Sequence, residues 1–215
     1  MSKNLWKKFP TLLLSLAFLV PPVHGFKDED LAKLHRTNEC IRCDLSGADL
    51  RSANLSRANL RSSNLSGANL RGATLDEVNL SSADLSEAEL VGANLRRANL
   101  HKAKLTTSDL SAADLSASDF REVDLNGANL RGSDSRATDF WKANLKEAIL
   151  RNADLREANL WGVDLTLADM RGANLSYTDL GSANLMGADT RAARFESATF
   201  CNTKMPSQEM NQSGC

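Results

Sequence analysis

The chain has 215 residues, with 26 basic and 27 acidic side chains and a formal net charge of −1. Residues 1–25 carry three of the lysines and no acid, so removing them leaves 23 basic and 27 acidic residues, a net charge of −4. A charge balance this mild argues against a nucleic-acid-binding protein, and equally against a strong mimic of nucleic acid.

Residues 1–25 have the features of a secretory signal peptide. Three lysines precede a short apolar run at residues 11–20, and Val23 and Gly25 are small residues at positions −3 and −1 of a cleavage site before Phe26. The run is about half as long as the ~20 apolar residues of a membrane-spanning helix. We expect export to the periplasm or the exterior, or to the thylakoid lumen in a photosynthetic source, with no membrane span after cleavage.

Residues 26–42 are predicted to form an N-terminal cap that begins with a short helix. Asp28 suits the N-cap position, acidic residues follow it in the first turn, and Leu31 and Leu34 fall on one side of the helix. The end of a repeat array exposes unpaired backbone groups and core leucines. We expect this helix to cover the start of the repeats that follow.

Cys40 and Cys43 form a Cys-x-x-Cys pair where the repeats begin. A zinc site would need two further ligands, and only His35 is close in sequence. A redox motif would need a thioredoxin-like βαβ context, which the sequence does not show. We predict a structural role for both cysteines, and whether they are bonded to each other is open at this point.

Residues 43–200 are an uninterrupted repeat of five residues. Every fifth residue from Leu45 to Phe200, which we call the centre residue, is Leu, Phe or Met, except at Ser135 and Thr190. A small residue, usually Ala, stands two positions before the centre, and Asn or Asp usually stands one position before it. A period of five fits neither a helix nor a flat strand, but it suits a short extended edge followed by a bend. Glycine recurs two positions after the centre, where a corner needs a permissive backbone.

This pattern, A(D/N)LXX, resembles that of the pentapeptide-repeat proteins, and the match covers about three quarters of the chain. The resemblance implies an all-β solenoid, a right-handed quadrilateral β-helix with four pentapeptides in each coil. About eight coils at a spacing of ~4.8 Å would make a rod ~38 Å long. Residues twenty apart would then stack on successive coils, and we call such a set a column.

One column is rich in arginine and contains Arg131, Arg151, Arg171 and Arg191. Stacked like charges repel, and acidic residues two positions earlier, such as Asp169, would offset them. Two interpretations stay open, a charge-balanced and solvated face or a stripe that binds an anion or a partner. Arg131, Arg151, Arg171 and Arg191 are the candidate residues of such a stripe.

Trp141 and Trp161 are also twenty apart, on the opposite side of the predicted coil. Exposed tryptophans are enriched at protein interfaces, so this pair belongs to the candidate interaction surface. Because polar residues flank each tryptophan, an isolated surface pair without a partner is the alternative.

Residues 201–215 leave the repeat phase and contain Pro206, so we predict an irregular C-terminal cap. The rod that the resemblance implies places Cys40 and Cys43 at one end and Cys201 and Cys215 at the other. The ~38 Å between them is far more than a disulfide spans. Within that rod, any intramolecular disulfides would be Cys40–Cys43 and Cys201–Cys215, and an oxidising compartment favours such bonds.

The two exceptions among the centre residues suggest volume compensation in the core. Ser135 and Thr190 are each followed five residues later by phenylalanine, Phe140 and Phe195. A small side chain next to a ring keeps the total core volume similar. Phe120 and Phe140 are twenty apart, so we expect offset stacking of their rings on neighbouring coils.

The sequence contains no catalytic motif, and we predict a protein that is not an enzyme and that takes no cofactor, metal ion or small-molecule substrate. The convex walls of the implied β-helix offer no desolvated pocket for chemistry. The first hypothesis is an exported structural or protein-interaction scaffold with an unknown protein partner and no nucleic acid. The alternative is a DNA-mimicking inhibitor of a type II topoisomerase, as some members of the resembling family are. Those members are cytoplasmic and strongly acidic, so the signal peptide and the arginine column favour the scaffold.

Overall fold

The structure is a computed structural model that describes residues 27–215. The predicted signal peptide lies outside the described residues. One helix, α1 (Asp28–Thr37), precedes a long array of turns and single-residue bridges, and two short strands, β1 (Thr203–Lys204) and β2 (Met210–Asn211), lie near the end. Among residues 27–215, no helix has the length and the apolar character needed to cross a membrane.

Helix α1 packs its apolar side against the first repeats. Leu34 is buried and Leu31 is partly buried against the core, as their spacing predicts. The helix starts one residue earlier than predicted, because Lys27, not Asp28, occupies the N-cap position and makes no side-chain cap bond. Lys27 is held there by its backbone N–H, which donates to the Asp44 carbonyl at 3.1 Å.

The repeat array is built from parallel bridges, each of which joins two residues twenty apart. The first bridge pairs Glu39 with Asn59, the last pairs Asn184 with Lys204, and one begins at every fifth residue between them. The chain therefore returns beside itself after four pentapeptides. Each wall is only about three residues long before the next turn, so within the array the described residues form single bridges in place of longer strands.

Backbone hydrogen bonds connect neighbouring coils at every repeat. The N–H of Leu65 donates to Asp84 on the next coil at 2.6 Å, and the N–H of Asn64 donates to Cys43 on the previous coil at 2.9 Å. The turn residue Gly67 adds a third contact, to Ser86, at 2.8 Å. Because these bonds recur with the repeat, they fix the register of every column along the array.

The core is a stack of centre residues and of the small residues two positions before them. The centre leucines from Leu45 to Leu185 are at most 3% exposed, and the small residues beside them are mostly buried as well. Phe120 and Phe140 lie next to each other in one column, with ring centroids 5.3 Å apart. Their contact is confirmed, but the rings are tilted by 52° and not stacked in parallel.

The exceptional centre residues differ in their surroundings. Ser135 is fully buried, and its hydroxyl lies 3.1 Å from that of Ser133. Thr190 is only partly buried, so its position is less enclosed than that of Ser135. Near the C-terminal end of the array, Phe195 and Phe200 are partly buried, and their ring centroids lie 5.7 Å apart.

The C-terminal segment is more regular than predicted. Strands β1 and β2 pair antiparallel, with Thr203 opposite Asn211. The N–H of Met205 donates to the Glu209 carbonyl at 2.8 Å and closes the connection that contains Pro206. Proline has no N–H and suits such a turn. Pro206, which lies outside the repeat, therefore fits the loop between β1 and β2.

Candidate interaction surface

Arginine and aspartate form a recurrent local pair on the walls of the array. The aspartate precedes the centre residue and the arginine follows it, so that the turn brings the guanidinium back onto the carboxylate. In each pair the arginine Nε lies 2.8 Å from one carboxylate oxygen, and the backbone N–H of the arginine donates to the same oxygen. The pairs are Asp49–Arg51, Asp119–Arg121, Asp134–Arg136, Asp154–Arg156, Asp169–Arg171 and Asp189–Arg191.

In five of the six pairs the pKa of the aspartate is lowered, which favours its ionised form. The hydrogen bond from the Arg51 guanidinium lowers the pKa of Asp49 to about 2. The guanidinium of Arg136 is likewise the largest cause of the lowered pKa of Asp134. The pair is therefore a neutral unit at any pH well above about 4, the usual carboxyl pKa. A wall built from such units carries many charges but little net charge.

The four candidate arginines line one groove at a corner of the coil. Arg131, Arg151, Arg171 and Arg191 lie on successive coils and border a groove of about 460 Å³. The next turn residues complete its lining, and they are Asn152, Gly172 and Ala192. We call this feature the arginine groove. The structure thus brings together all four arginines that the sequence singled out.

The arginine groove is neutralised at one end and cationic at the other. Asp169 lies 2.5 Å from Arg151 and 2.8 Å from Arg171, and Asp189 lies 2.5 Å from Arg191. Two carboxylates thus serve four guanidinium groups, which leaves a net charge of +2. Among residues 27–215, Arg131 makes no ion pair; only its backbone N–H is bonded, to the Asn129 side chain at 3.1 Å.

The missing carboxylates can be traced to two positions in one column. Asn129 and Ile149 stand where Asp169 and Asp189 stand on the later coils, and consecutive members of this column are bridge partners. Ile149 is 38% exposed in a place that otherwise holds a polar side chain. Neither residue is predicted from the sequence, although Ile149 visibly breaks the Asn/Asp pattern.

The two tryptophans also meet, half a coil away from the arginine groove. The rings of Trp141 and Trp161 are 6.2 Å apart at their centroids and lie within 15° of parallel. Lys142 places its Nζ 4.3 Å from the Trp141 ring centroid and 5.8 Å from that of Trp161. Trp161 is 37% exposed, so the pair presents part of its aromatic surface to solvent.

Gly181 gives Trp161 its position. A Cβ atom at Gly181 would lie 2.7 Å from Cδ1 and 3.1 Å from Nε1 of that ring. The indole therefore rests against the backbone of the next coil at the point where the column has no side chain. Gly181 is not predicted from the sequence, because its place opposite Trp161 is visible only when residues twenty apart are aligned.

Both predicted cysteine pairs are disulfides in the structure, Cys40–Cys43 and Cys201–Cys215. Asp30 of α1 lies with Cys40 and Cys43 in a group whose ligand-type atoms are within 4.8 Å of one another. A disulfide offers no thiolate to a metal ion, so this group does not have the chemistry of a zinc site. The Asp30 carboxylate instead accepts the N–H of Asp44 at 2.8 Å.

Comparison with protein families gives one match, to the model described as pentapeptide repeats. Eight copies match in segments that span residues 39–134 and 136–205. No curated protein matches the chain at a significant level.

Solved structures include several similar chains. HetL, a pentapeptide repeat protein involved in heterocyst differentiation regulation in the cyanobacterium Nostoc sp. strain PCC 7120, is 32% identical over 80% of this chain and 87% of its own, with a TM-score of 0.40. A pentapeptide repeat protein of the Arabidopsis thaliana thylakoid lumen is 34% identical over 40% of this chain and 60% of its own, with a TM-score of 0.39.

A third structure shares the fold at lower identity. QnrB1, a plasmid-mediated fluoroquinolone resistance protein, is 19% identical over 81% of this chain and 84% of its own, with a TM-score of 0.56. The family model covers well over half of the chain, and the bridges repeat every five residues in the structure. The chain belongs to the pentapeptide repeat family.

Proposed function

We propose that this protein is an exported, non-enzymatic scaffold that binds another protein through the surface of a rigid solenoid. The observation that carries the proposal is the pairing of two unusual surfaces on the same stretch of the array. The arginine groove runs over residues 131–191, and the tryptophan pair lies at residues 141–161. Two neutral Asp-x-Arg units, Asp134–Arg136 and Asp154–Arg156, lie between them.

The regular backbone supports a scaffold role. Hydrogen bonds between coils recur at every pentapeptide, so a side chain on one coil keeps its distance to the equivalent side chain on the next. A rigid surface costs little ordering entropy when it binds. Tryptophan and arginine are also the residues that most often carry binding energy at interfaces.

The organisation of the chain follows from the same proposal. Residues 1–25 direct export and are removed, residues 26–42 cap the first coil, residues 43–200 form a right-handed rod of about eight coils, and residues 201–215 cap its other end. Burial of Leu34 under α1 and the hairpin β1–β2 support the two capping roles. The arginine groove then lies in the second half of the rod.

Export can be tested separately from binding. The N-terminal sequence of the protein recovered from the exported fraction of its native host should begin at Phe26. Protein that remains in the cytoplasm with residues 1–25 attached would contradict this part of the proposal.

The binding role is tested by affinity capture from that same exported fraction. The tagged wild-type protein should recover a partner that a Trp141→Ala/Trp161→Ala variant and an Arg131→Glu/Arg151→Glu variant recover poorly. The matched control is Arg96→Glu, which changes an exposed arginine on a corner that carries neither the arginine groove nor the tryptophan pair. Identical sets of captured proteins from the wild type and both surface variants would contradict the proposal.

A DNA-mimicking topoisomerase inhibitor is the competing outcome, and a gyrase supercoiling assay decides it. DNA mimicry needs rows of unneutralised carboxylates, whereas six aspartates of this array are bonded to arginines two residues later. We expect no inhibition of supercoiling. Inhibition at a protein concentration comparable to that of the enzyme would support mimicry in place of the scaffold.

A further inference from the structure

We propose that the arginine groove binds an extended acidic peptide segment of a partner protein, with carboxylates on Arg131 and Arg151 and an apolar side chain on Ile149. This inference rests on the proposed scaffold function and names the chemistry of its partner. It depends on three features, which are the length of the groove, its uneven charge and the exposed apolar side chain of Ile149 beside it.

The length of the groove fits an extended peptide. Its four arginines lie on four successive coils, and three coil steps of ~4.8 Å cover ~14 Å. Five residues of an extended chain cover ~13 Å and point the first, third and fifth side chains to the same side. A segment with acidic residues at its first and third positions and an apolar residue at its fifth would therefore turn both carboxylates and the apolar side chain to the same side.

The positive charge of the arginine groove is least neutralised near Arg131. Arg171 and Arg191 are held by Asp169 and Asp189, whereas Arg131 has no ion-pair partner among the described residues. Arg151 shares Asp169 with Arg171. Four guanidinium groups and two carboxylates leave a net charge of +2. At Arg131 a carboxylate of a ligand meets a guanidinium without displacing an aspartate, and at Arg151 it shares the guanidinium with Asp169.

Ile149 favours a peptide over a phosphate polymer. It is 38% exposed and is the bridge partner of Asp169, which itself touches Arg151. An apolar side chain of a peptide gains contact there, whereas a phosphate chain gains nothing. The two aspartates at the other end would also repel a densely charged polyanion.

The test measures direct binding of a fluorescent peptide to the full-length protein by fluorescence anisotropy at low ionic strength. The peptide has blocked termini and the sequence Glu-Ser-Glu-Ser-Ile, so that both glutamates and the isoleucine fall on one side of an extended chain. The control peptide has glutamine in place of glutamate. We expect the acidic peptide to bind and the neutral one to show no binding. Equal binding of both peptides would overturn the proposal.

The Asp-x-Arg geometry supplies a variant that removes the site without removing an arginine. In Asn129→Asp/Ile149→Asp, new carboxylates stand two residues before Arg131 and Arg151, where the other six pairs close at 2.8 Å. Affinity for the acidic peptide should fall by about tenfold or more, because Arg131 gains an internal partner, Arg151 gains a second one beside Asp169, and the apolar contact at Ile149 is lost.

The matched control adds the same two negative charges on other corners. Asn59→Asp/Asn94→Asp places carboxylates two residues before Arg61 and Arg96 and changes the net charge equally. Its affinity should equal that of the wild type, and both double variants should melt cooperatively. An equal loss in both variants would show a general charge effect and overturn the site.

Inorganic polyphosphate separates the two classes of anion. If the arginine groove binds polyphosphate but not the peptide, the assignment of an acidic peptide is wrong. If the peptide binds as expected but the capture experiment recovers no partner, the result supports acidic-peptide binding by the groove and contradicts the scaffold function. Loss of peptide binding with retained capture would instead leave the scaffold and remove this inference.

Discussion

The second turn residue of almost every repeat has a left-handed backbone, whatever its side chain. Gly67 has φ of +63° and Ala137 has φ of +53° at equivalent positions. Glycine adopts this conformation freely, whereas other residues pay roughly 1–2 kcal/mol for it. The array thus contains many sites of modest local strain, which its ladder of backbone hydrogen bonds holds in place.

Replacing Ala137 by glycine should stabilise the protein by roughly 0.5–1 kcal/mol. The relief of the left-handed strain exceeds the added flexibility of the unfolded chain. The same substitution at Ala32, exposed in the middle of α1, should destabilise by roughly 0.5–1 kcal/mol, because a helix interior disfavours glycine. Chemical denaturation of both variants measures the two effects. A loss of stability in Ala137→Gly would contradict this account of the turns.

Ser135 tests volume compensation in the core. Ser135→Leu should destabilise by roughly 1–3 kcal/mol through overpacking, because the site is fully buried and Phe140 occupies the next inward position of the chain. Adding Phe140→Leu should recover part of the loss, since the pair then has two side chains of ordinary size. Thermal melting of the two variants checks this. A Ser135→Leu variant as stable as the parent would remove the idea of compensation.

At the scale of structural elements, the tryptophan pair depends on a gap in the neighbouring coil. Gly181→Ala should move the Trp161 ring, because the new methyl group would lie 2.7 Å from Cδ1. The backbone of Gly181 has no positive φ, so space, and not conformation, is the reason for glycine. We expect a shifted tryptophan emission spectrum and a loss of stability. In a Trp161→Ala background the same substitution should cost almost nothing, and an equal cost there would refute the explanation.

The Cys201–Cys215 disulfide should stabilise the C-terminal hairpin. It closes a loop with a sequence separation of 14, and a loop of that size is worth ~3 kcal/mol in the chain-entropy model. Cys201→Ser/Cys215→Ser should therefore lower stability by about that amount. Hydrogen exchange should locate the loss at β1 and at the N–H of Phe200, which donates to Ser213 at 2.8 Å. Unchanged protection there would show that other contacts hold the hairpin.

At the scale of the whole molecule, the sequence predicts the columns because one period fixes both the core and the walls. The five-residue period predicts the centre residues, and the resemblance to pentapeptide-repeat proteins adds the return after twenty residues and the restriction of any disulfides to Cys40–Cys43 and Cys201–Cys215. Whether Cys40 and Cys43 are bonded to each other could not be predicted, and the structure shows that they are. The predicted start of α1 is one residue too late, because a hydrogen bond from the backbone N–H of Lys27 to the Asp44 carbonyl places Lys27 at the N-cap. The tilt of the Phe120 and Phe140 rings depends on local packing that a repeat pattern does not encode.

The sequence predicts the arginines of the arginine groove but not its uneven charge. The four arginines are visible as a column, but the importance of Asn129 and Ile149 depends on the contact between an aspartate and the arginine two residues later. That contact follows from the geometry of the turn, and the pattern of residue types alone does not reveal it. The position of Trp161 over Gly181 was hidden for the same reason.

The stacking of residues twenty apart is the claim on which the arginine groove, the tryptophan pair and the core all depend. Asn79 and Asn99 are bridge partners on successive coils, and such partners lie ~4.8 Å apart, within reach of a disulfide. Asn79→Cys/Asn99→Cys should therefore form a new cross-link under mild oxidation, identified by peptide mapping, whereas Asn79→Cys/Asn94→Cys should not. A cross-link in the second variant and none in the first would contradict the stacking.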